Sequence, residues 1–378
     1  IEAHEWKPNV RAFIKNMLEE VPKRPITRDM KWGVPVPEDR AAGERGKVLY
    51  VWFDAPIGYI SFTKELFARR GEPERWREWW QSGDTRLVHF IGKDNIPHHC
   101  MLFPAMLHGM RQEYVLPWQV PANEFYNLQG RKFSTSGNWS IDLDGFFGNY
   151  DAEAARFAIL ASLPETADSE FTWSLLQRTT NAQLVGTIGN LVTRVLKFIE
   201  KHHGALIPPL AGAHAGELDR TLFEQCGEIG DPAVHVRAFR FRLAVETLVG
   251  NATVANVFVD RLAPWSLQKQ DPALAASVLA TLCDWLGYMA RWMTPFLPGK
   301  AQALWQMLGQ AGLVAELGWP AVPRPGHWRS LRAGTRLGRV EGLFTRIDDA
   351  TVSREIAALE ARATTVQRGQ AQSAVKPR

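Results

Sequence analysis

Cysteine is scarce in this chain. Cys100, Cys226 and Cys283 are the only three in 378 residues, and they stand far apart. That spacing excludes a zinc knuckle and a disulfide framework, and it fits a reducing cytosol. Long apolar runs are missing too. No stretch of about 18 apolar residues is read from the sequence, so no membrane-spanning segment is expected. No secretory signal opens the chain. Neither sign of charge dominates: 44 Lys and Arg against 40 Asp and Glu leave a net charge of +4. Such mild basicity permits a polyanionic partner without demanding one. His98 and His99 are adjacent, so on a helix they diverge by about 100° and cannot hold one metal from one face. What the chain has in abundance is tryptophan, 15 residues, and a 46% hydrophobic fraction. Both promise large cores, and the length suits two or three domains.

The central stretch is Lys47 to Phe62, KVLYVWFDAPIGYISF. Val48 to Phe53 is an unbroken apolar run, the pattern of a strand buried on both faces in a parallel sheet. Asp54, Ala55 and Pro56 stop it, and a helix over 57–70 follows. Ligands of open α/β sheets bind beyond the carboxyl ends of strands. Trp52, Ala55, Pro56 and Tyr59 therefore lie where a small apolar ligand with a polar head would sit. A second strand, Arg86 to Ile91, runs into Gly92-Lys93-Asp94-Asn95-Ile96-Pro97-His98-His99. Asp94 reads as an N-cap and Pro97 as a first-turn residue. One histidine of the pair should face the cleft. A third strand, Glu113 to Val120, leads to a loop, Gly130 to Gly137, where Ser134, Thr135 and Ser136 follow Arg131 and Lys132. Backbone N–H groups and cations in such a loop can take phosphate.

Elsewhere the period is helical. Residues 7–21 form an amphipathic helix, 22–46 a connector rich in Pro, Gly and charge, and 73–80 a helix. From Asp151 on, helices are expected over 151–162, 173–203, 233–250, 272–295 and 298–312, forming an α-helical bundle. A last helical pattern covers Val352 to Arg362, followed by a polar end expected to fray.

Taken together, YVWFDAPIGY, FIGKDNIPHH and GRKFSTS, in this order, resemble the methionyl-tRNA synthetases, a class I aminoacyl-tRNA synthetase family. Asn190-Leu191-Val192-Thr193-Arg194, Ala263-Pro264-Trp265 and the closing Leu343-Phe344-Thr345-Arg346-Ile347-Asp348 add to the likeness, which covers nearly the whole chain. The resemblance implies an α/β fold: the second half of a Rossmann-like catalytic domain over 47–150, after the end of a connective region in 1–46. An all-α anticodon-binding bundle over 151–335 and a C-terminal helix and tail over 336–378 would follow.

By position, the resemblance implies a methionine pocket of Trp52, Ala55, Pro56, Tyr59, Asn95 and His99. It puts Gly92 and Asp94 at the adenylate ribose, and Arg131 and Lys132 at the ATP phosphates. Lys132, Ser134 and Ser136 fall in the loop that holds the reacting phosphates in the family. Asn190, Arg194 and Trp265 would read a CAU anticodon. The implied partners are methionine, ATP with Mg2+, and tRNA(Met), for a cytoplasmic monomer with no membrane partner and no zinc ligands in this chain.

Two departures stand out. The family's HIGH signature is absent, since no H-x-G-H occurs, which is expected if the chain is a piece of a longer protein that carries the first half of the nucleotide fold. Thr135 stands where the family's loop has its second lysine. Two classes of function remain at this point: a methionine–tRNA ligase, and a synthetase-derived module that holds tRNA without activating methionine. Retention of Trp52, Tyr59 and His99 together favours the ligase.

Overall fold

A computed structural model describes residues 6–21, 23, 25–37, 39, 46–110, 113–320 and 331–374. The backbone packs as two compact units, residues 1–125 with 164–168, and residues 126–163 with 169–378. Packing thus divides the chain at 125/126, earlier than the change to helical periodicity at 151.

In the first unit, helix Pro8–Glu19 starts on a proline, whose missing N–H costs nothing in a first turn. Its buried Val10 and Ile14 pack with Ile96, Cys100, Val120 and Ala122. Two expected strands form the parallel pair that organises this unit. Leu87–Val88 pairs with Pro117–Gln119, with a register irregularity, and Ile91–Gly92 pairs with Ala122–Asn123. His89 N donates to Gln119 O at 3.0 Å between the two paired segments, which extends the ladder. The crossover is helical: a 3₁₀ turn Lys93–Asn95, a π turn His98–Leu102 and helix Phe103–Gly109. Helix Ile57–Arg69 covers this layer through Ile60 and Phe67, with Trp76, Trp80, Phe103 and Leu107.

Three local expectations change here. The apolar run at 48–53 is a strand only over Val48–Leu49, which pairs antiparallel with Thr27–Arg28 inside the presumed connector. Val51–Asp54 is a helical turn, and Val51 is exposed. A strand buried on both faces needs hydrogen-bonded neighbours along its length, and no described strand pairs with 50–53. Asp94 is no N-cap: it lies within the 3₁₀ turn, whose cap position is Gly92. The helix expected from Pro73 begins at Trp76.

In the second unit, Tyr126–Leu128 pairs parallel with Ser169–Phe171. Between them run helices Leu143–Asn149 and Ala152–Ala161, each capped by an aspartate, Asp142 and Asp151. A helical run from Trp173 to His202 follows, α at both ends and π over Thr179–Gly189. The bundle is completed by Gly212–Ile229, Pro232–Arg237, Phe241–Leu262, Pro264–Gln270, Pro272–Met293 and Pro298–Met307. Proline opens four of these six, and Asp231 and Asp271 cap two by accepting Ala233 N and Leu274 N.

The helix expected over 233–250 is two, broken at Phe239 with φ +55°, and the second runs on to Leu262. Pro272–Met293 is, contrary to the sequence reading, long and apolar enough to cross a membrane by length and composition, and most of it is buried in the bundle's own core. At Gly309, φ is +72° and a Cβ would sit 2.0 Å from Arg336 O, so only glycine fits beneath that backbone. The final helix runs beyond Arg362, over Asp349–Ala374, with Val352, Leu359 and Ala363 packed on Phe171, Trp173 and Leu176.

Candidate functional site

In the first unit the candidate pocket residues come from two separate stretches. Tyr59 projects from the start of helix Ile57–Arg69, and His99 from the π turn beyond the parallel strands. Tyr59 Oη lies 3.0 Å from His99 Nε2, and His99 Nδ1 lies 3.0 Å from Asn95 O. A carbonyl only accepts, so Nδ1 carries the proton and Nε2 accepts from the tyrosine hydroxyl. His99 is buried, which holds its pKa below the usual value and keeps the ring neutral, as this arrangement requires.

Trp52 packs against the histidine pair. Its ring stacks on His98 with centroids 4.2 Å apart and meets His99 edge-on at 6.2 Å. Thus the histidine turned inward is His99, while His98 backs the indole. Pro56 is buried and Ala55 exposed in the turn between. Gly92 and Asp94, both exposed, sit at the carboxyl end of strand Ile91–Gly92.

His89 belongs to the same cluster. It is 6% exposed, with its ring 5.0 Å from that of His99 and 5.5 Å from that of Tyr59. Burial first, and the neighbouring His99 second, push its pKa down to about 4. Tyr59, Phe62, Trp80, His89 and Phe90 line a cavity of ≈ 340 Å³. His89 has no role in the sequence reading because it falls within the run Arg86 to Ile91 expected as a strand; in the structure it lies between the paired segments Leu87–Val88 and Ile91–Gly92. Its one signal was a polar residue in an otherwise apolar run.

The candidate phosphate loop belongs to the second unit. Gln129 and Gly130 both have positive φ, +48° and +75°, the backbone of a tight hairpin turn. Arg131 and Leu128 close it, and Ser134 and Trp139 exchange two backbone hydrogen bonds at 2.9 Å further on. The Arg131 guanidinium lies 4.3 Å over the Trp139 ring, whose Nε1 donates to Leu128 O at 2.8 Å. Ser134 Oγ accepts from Gly137 N at 3.0 Å and lies 3.5 Å from Ser136 Oγ. Lys132 and Thr135 are exposed on this hairpin. The loop is thus a structured turn that presents cations and hydroxyls, and Arg131 is partly committed to its own tryptophan.

In the helical bundle, Asn190 and Arg194 occupy successive turns of helix Asn190–His202. The Arg194 guanidinium sits 4.8 Å over the Trp265 ring, and Trp265 is 39% exposed. Ala263 adopts φ +42°, turning the chain sharply so that Pro264 starts a new helix and Trp265 faces back to Arg194. Two further residues complete the face. Asp260 Oδ1 accepts from Arg194 Nη2 at 2.5 Å. Asn256 accepts weakly from Asn190 Nδ2 at 3.4 Å and donates to Thr187 O at 3.0 Å. Asn256 and Asp260 mirror the four-residue spacing of Asn190 and Arg194. They went unread because the expected helix stopped at 250. Among the described residues no cluster of His, Cys, Asp and Glu is placed to hold a metal ion.

The model of the family described as tRNA synthetases class I (M) matches residues 1–196. The anticodon binding domain of methionyl tRNA ligase matches residues 209–362. A methionine–tRNA ligase of Protochlamydia amoebophila is 40% identical over 95% of this chain and 51% of its own length. One of Salinibacter ruber is 38% identical over 95% of this chain and 53% of its own. The chain thus spans about half the length of these curated relatives. A Mycobacterium tuberculosis methionyl-tRNA synthetase in complex with methionyl-adenylate has the same fold, with a TM-score of 0.73 at 23% identity, over 90% of this chain and 64% of that one. The apo form of that enzyme gives a TM-score of 0.69 over 91% and 64%.

Proposed function

The chain belongs to the methionyl-tRNA synthetase family of class I, with a catalytic domain followed by a helical anticodon-binding domain, and from that premise we propose that it is part of a methionine–tRNA ligase. The observation that carries this reading is the cluster around His99, which bonds the Tyr59 hydroxyl and the Asn95 carbonyl and meets the Trp52 ring edge-on. A thioether is polarisable and apolar, so an indole wall and a neutral imidazole–phenol pair suit it, while a charged imidazolium would not. The methionine carboxylate attacks the α-phosphorus of ATP, and pyrophosphate leaves. The work there is positioning and charge stabilisation rather than proton transfer. The methionyl group then passes to the terminal adenosine of tRNA(Met). Gly92 and Asp94 serve the ribose, and Arg131, Lys132, Ser134 and Ser136 serve the phosphates, with Mg2+ entering on ATP. We place the protein in the cytoplasm as a monomer. A tRNA-holding module alone would leave the methionine pocket without a purpose. Calorimetry of methionine and leucine on the 378-residue chain tests the reading. Binding of methionine with clear preference over leucine is expected, and no preference sinks it.

Within this reading Lys132 serves ATP rather than tRNA. Lys132→Ala should weaken ATP binding on the order of tenfold, as expected for a lost charge-assisted hydrogen bond. The affinity for tRNA should stay the same. An unchanged ATP dissociation constant would remove Lys132 from the site.

Asn190, Arg194 and Trp265 are proposed to read the anticodon: an amide and a guanidinium for base edges, an indole for a base face. The chain should bind a stem-loop bearing CAU better than one with an altered anticodon, and less tightly as salt rises. Trp265→Ala should cost about 1–3 kcal/mol, the usual worth of a base–aromatic stack. Arg194→Ala should relax discrimination as well. Fluorescence anisotropy at two salt concentrations reads both effects. Equal affinity for the two loops would make these residues ordinary surface.

A further inference from the structure

Lys93 stands between Gly92 and Asp94, and a cation at that place invites assignment to phosphate. The structure gives it other partners. Its Nζ lies 2.7 Å from Glu124 Oε2 and 3.0 Å from Asp168 Oδ1, and 4.1 Å over the Phe125 ring. Each carboxylate is itself tied down. Glu124 Oε1 accepts from Asn9 Nδ2 at 2.9 Å, and Asp168 Oδ1 also accepts from Phe125 N at 3.0 Å. Glu124 N donates to Pro164 O at 2.7 Å. One ammonium therefore joins the turn after strand Ile91–Gly92 to the first helix, to the chain beyond the neighbouring strand and to the segment Pro164–Asp168. Gly92 and Asp94, on either side, are exposed. The Lys93 ammonium is committed to this hub. Charge-assisted bonds of this kind are the strong ones, and Lys93 and Glu124 are each partly shielded from water.

We propose that Lys93 is a positioning residue that fixes the Gly92–Asn95 turn, and so aims Gly92 and Asp94 at the ribose of the nucleotide. The inference rests on the reading of that turn as an adenylate contact. Its range is set by the hub: removing the ammonium frees the turn at Gly92 and Asp94, while the far end of the turn stays tied to His99 Nδ1 through Asn95 O.

The test titrates a non-hydrolysable methionyl-adenylate analogue and its 2′,3′-dideoxyribose counterpart into the 378-residue chain, with methionine as control. Hydrogen exchange of the 92–95 amides is followed in parallel. Lys93→Met should lose most of the ribose preference, about tenfold, and raise exchange at 92–94, with a much smaller effect on methionine affinity because Asn95 O keeps its bond to His99 Nδ1. Lys93→Arg, which keeps the charge, should retain both. Adding Lys93→Met to Asp94→Ala should cost nothing further, because the two act on one contact. A ribose preference kept in Lys93→Met overturns the proposal, as does an equal loss for both analogues and methionine. Wild-type chain that binds both analogues alike, with exchange still accelerated in Lys93→Met, overturns the nucleotide reading of the turn rather than the clamp.

Discussion

Trp52→Ala is expected to weaken methionine binding by about 2–4 kcal/mol, the range for losing a packed aromatic wall, and to leave ATP binding as it was. The indole has two contacts to lose, the stack on His98 and the edge contact with His99. Without it one side of the pocket opens to water, and the thioether keeps its hydration instead of an aromatic surface. Trp52→Phe preserves an aromatic face and should recover most of the loss. Calorimetric titration of both variants with methionine and with ATP decides it. A Trp52→Ala chain that binds methionine as wild type does would assign the pocket elsewhere.

Acid is expected to weaken the first unit through His89. Its native pKa is depressed to about 4, whereas an unfolded histidine titrates near the ordinary value. Between these two values the unfolded chain takes up a proton that the native chain declines. Stability is therefore complete above about pH 6.5 and falls as pH drops from there to about 4, by as much as about 3 kcal/mol. His99, also depressed by burial, adds in the same direction. Protonating His99 Nε2 would further remove the acceptor for the Tyr59 hydroxyl, so methionine affinity should decline over the same acid range. The histidine ring resonances, followed by NMR, should show His89 untitrated at pH 5. In denaturation experiments His89→Phe should flatten the acid slope. A His89 that titrates near 6.5 would refute its burial in this cluster.

Residues that act through local chemistry were readable from the sequence; residues that depend on distant pairing were not. The strand–turn–helix unit from Leu87 to Gly109 was legible because an apolar run, a polar turn and a helical period follow one another within about twenty residues. Asn190 and Arg194 were legible as one face because four residues make about one helical turn. The run at 48–53 misled, because whether an apolar hexapeptide extends or coils depends on strands it must pair with. The break at Phe239 carries neither glycine nor proline to announce it. Helix Gly212–Ile229 was overlooked although Leu218, Leu222, Phe223 and Cys226 mark its buried side. His89, Asn256 and Asp260 stayed invisible because each acquires meaning only through a neighbour far away in sequence.

The π stretch Thr179–Gly189 sets the helical phase of everything after it. Each turn closed by an i→i+5 bond takes in one residue more than an α turn. The same residues wound as a regular α-helix would bring Asn190 and Arg194 out on a different side relative to Trp173, which is anchored in its own core. The wider turns also leave Thr187 O where Asn256 Nδ2 reaches it. The azimuth of the face formed by Asn190 and Arg194 is thus written in the winding of the preceding eleven residues. A one-residue deletion there would re-aim that face without touching any residue on it.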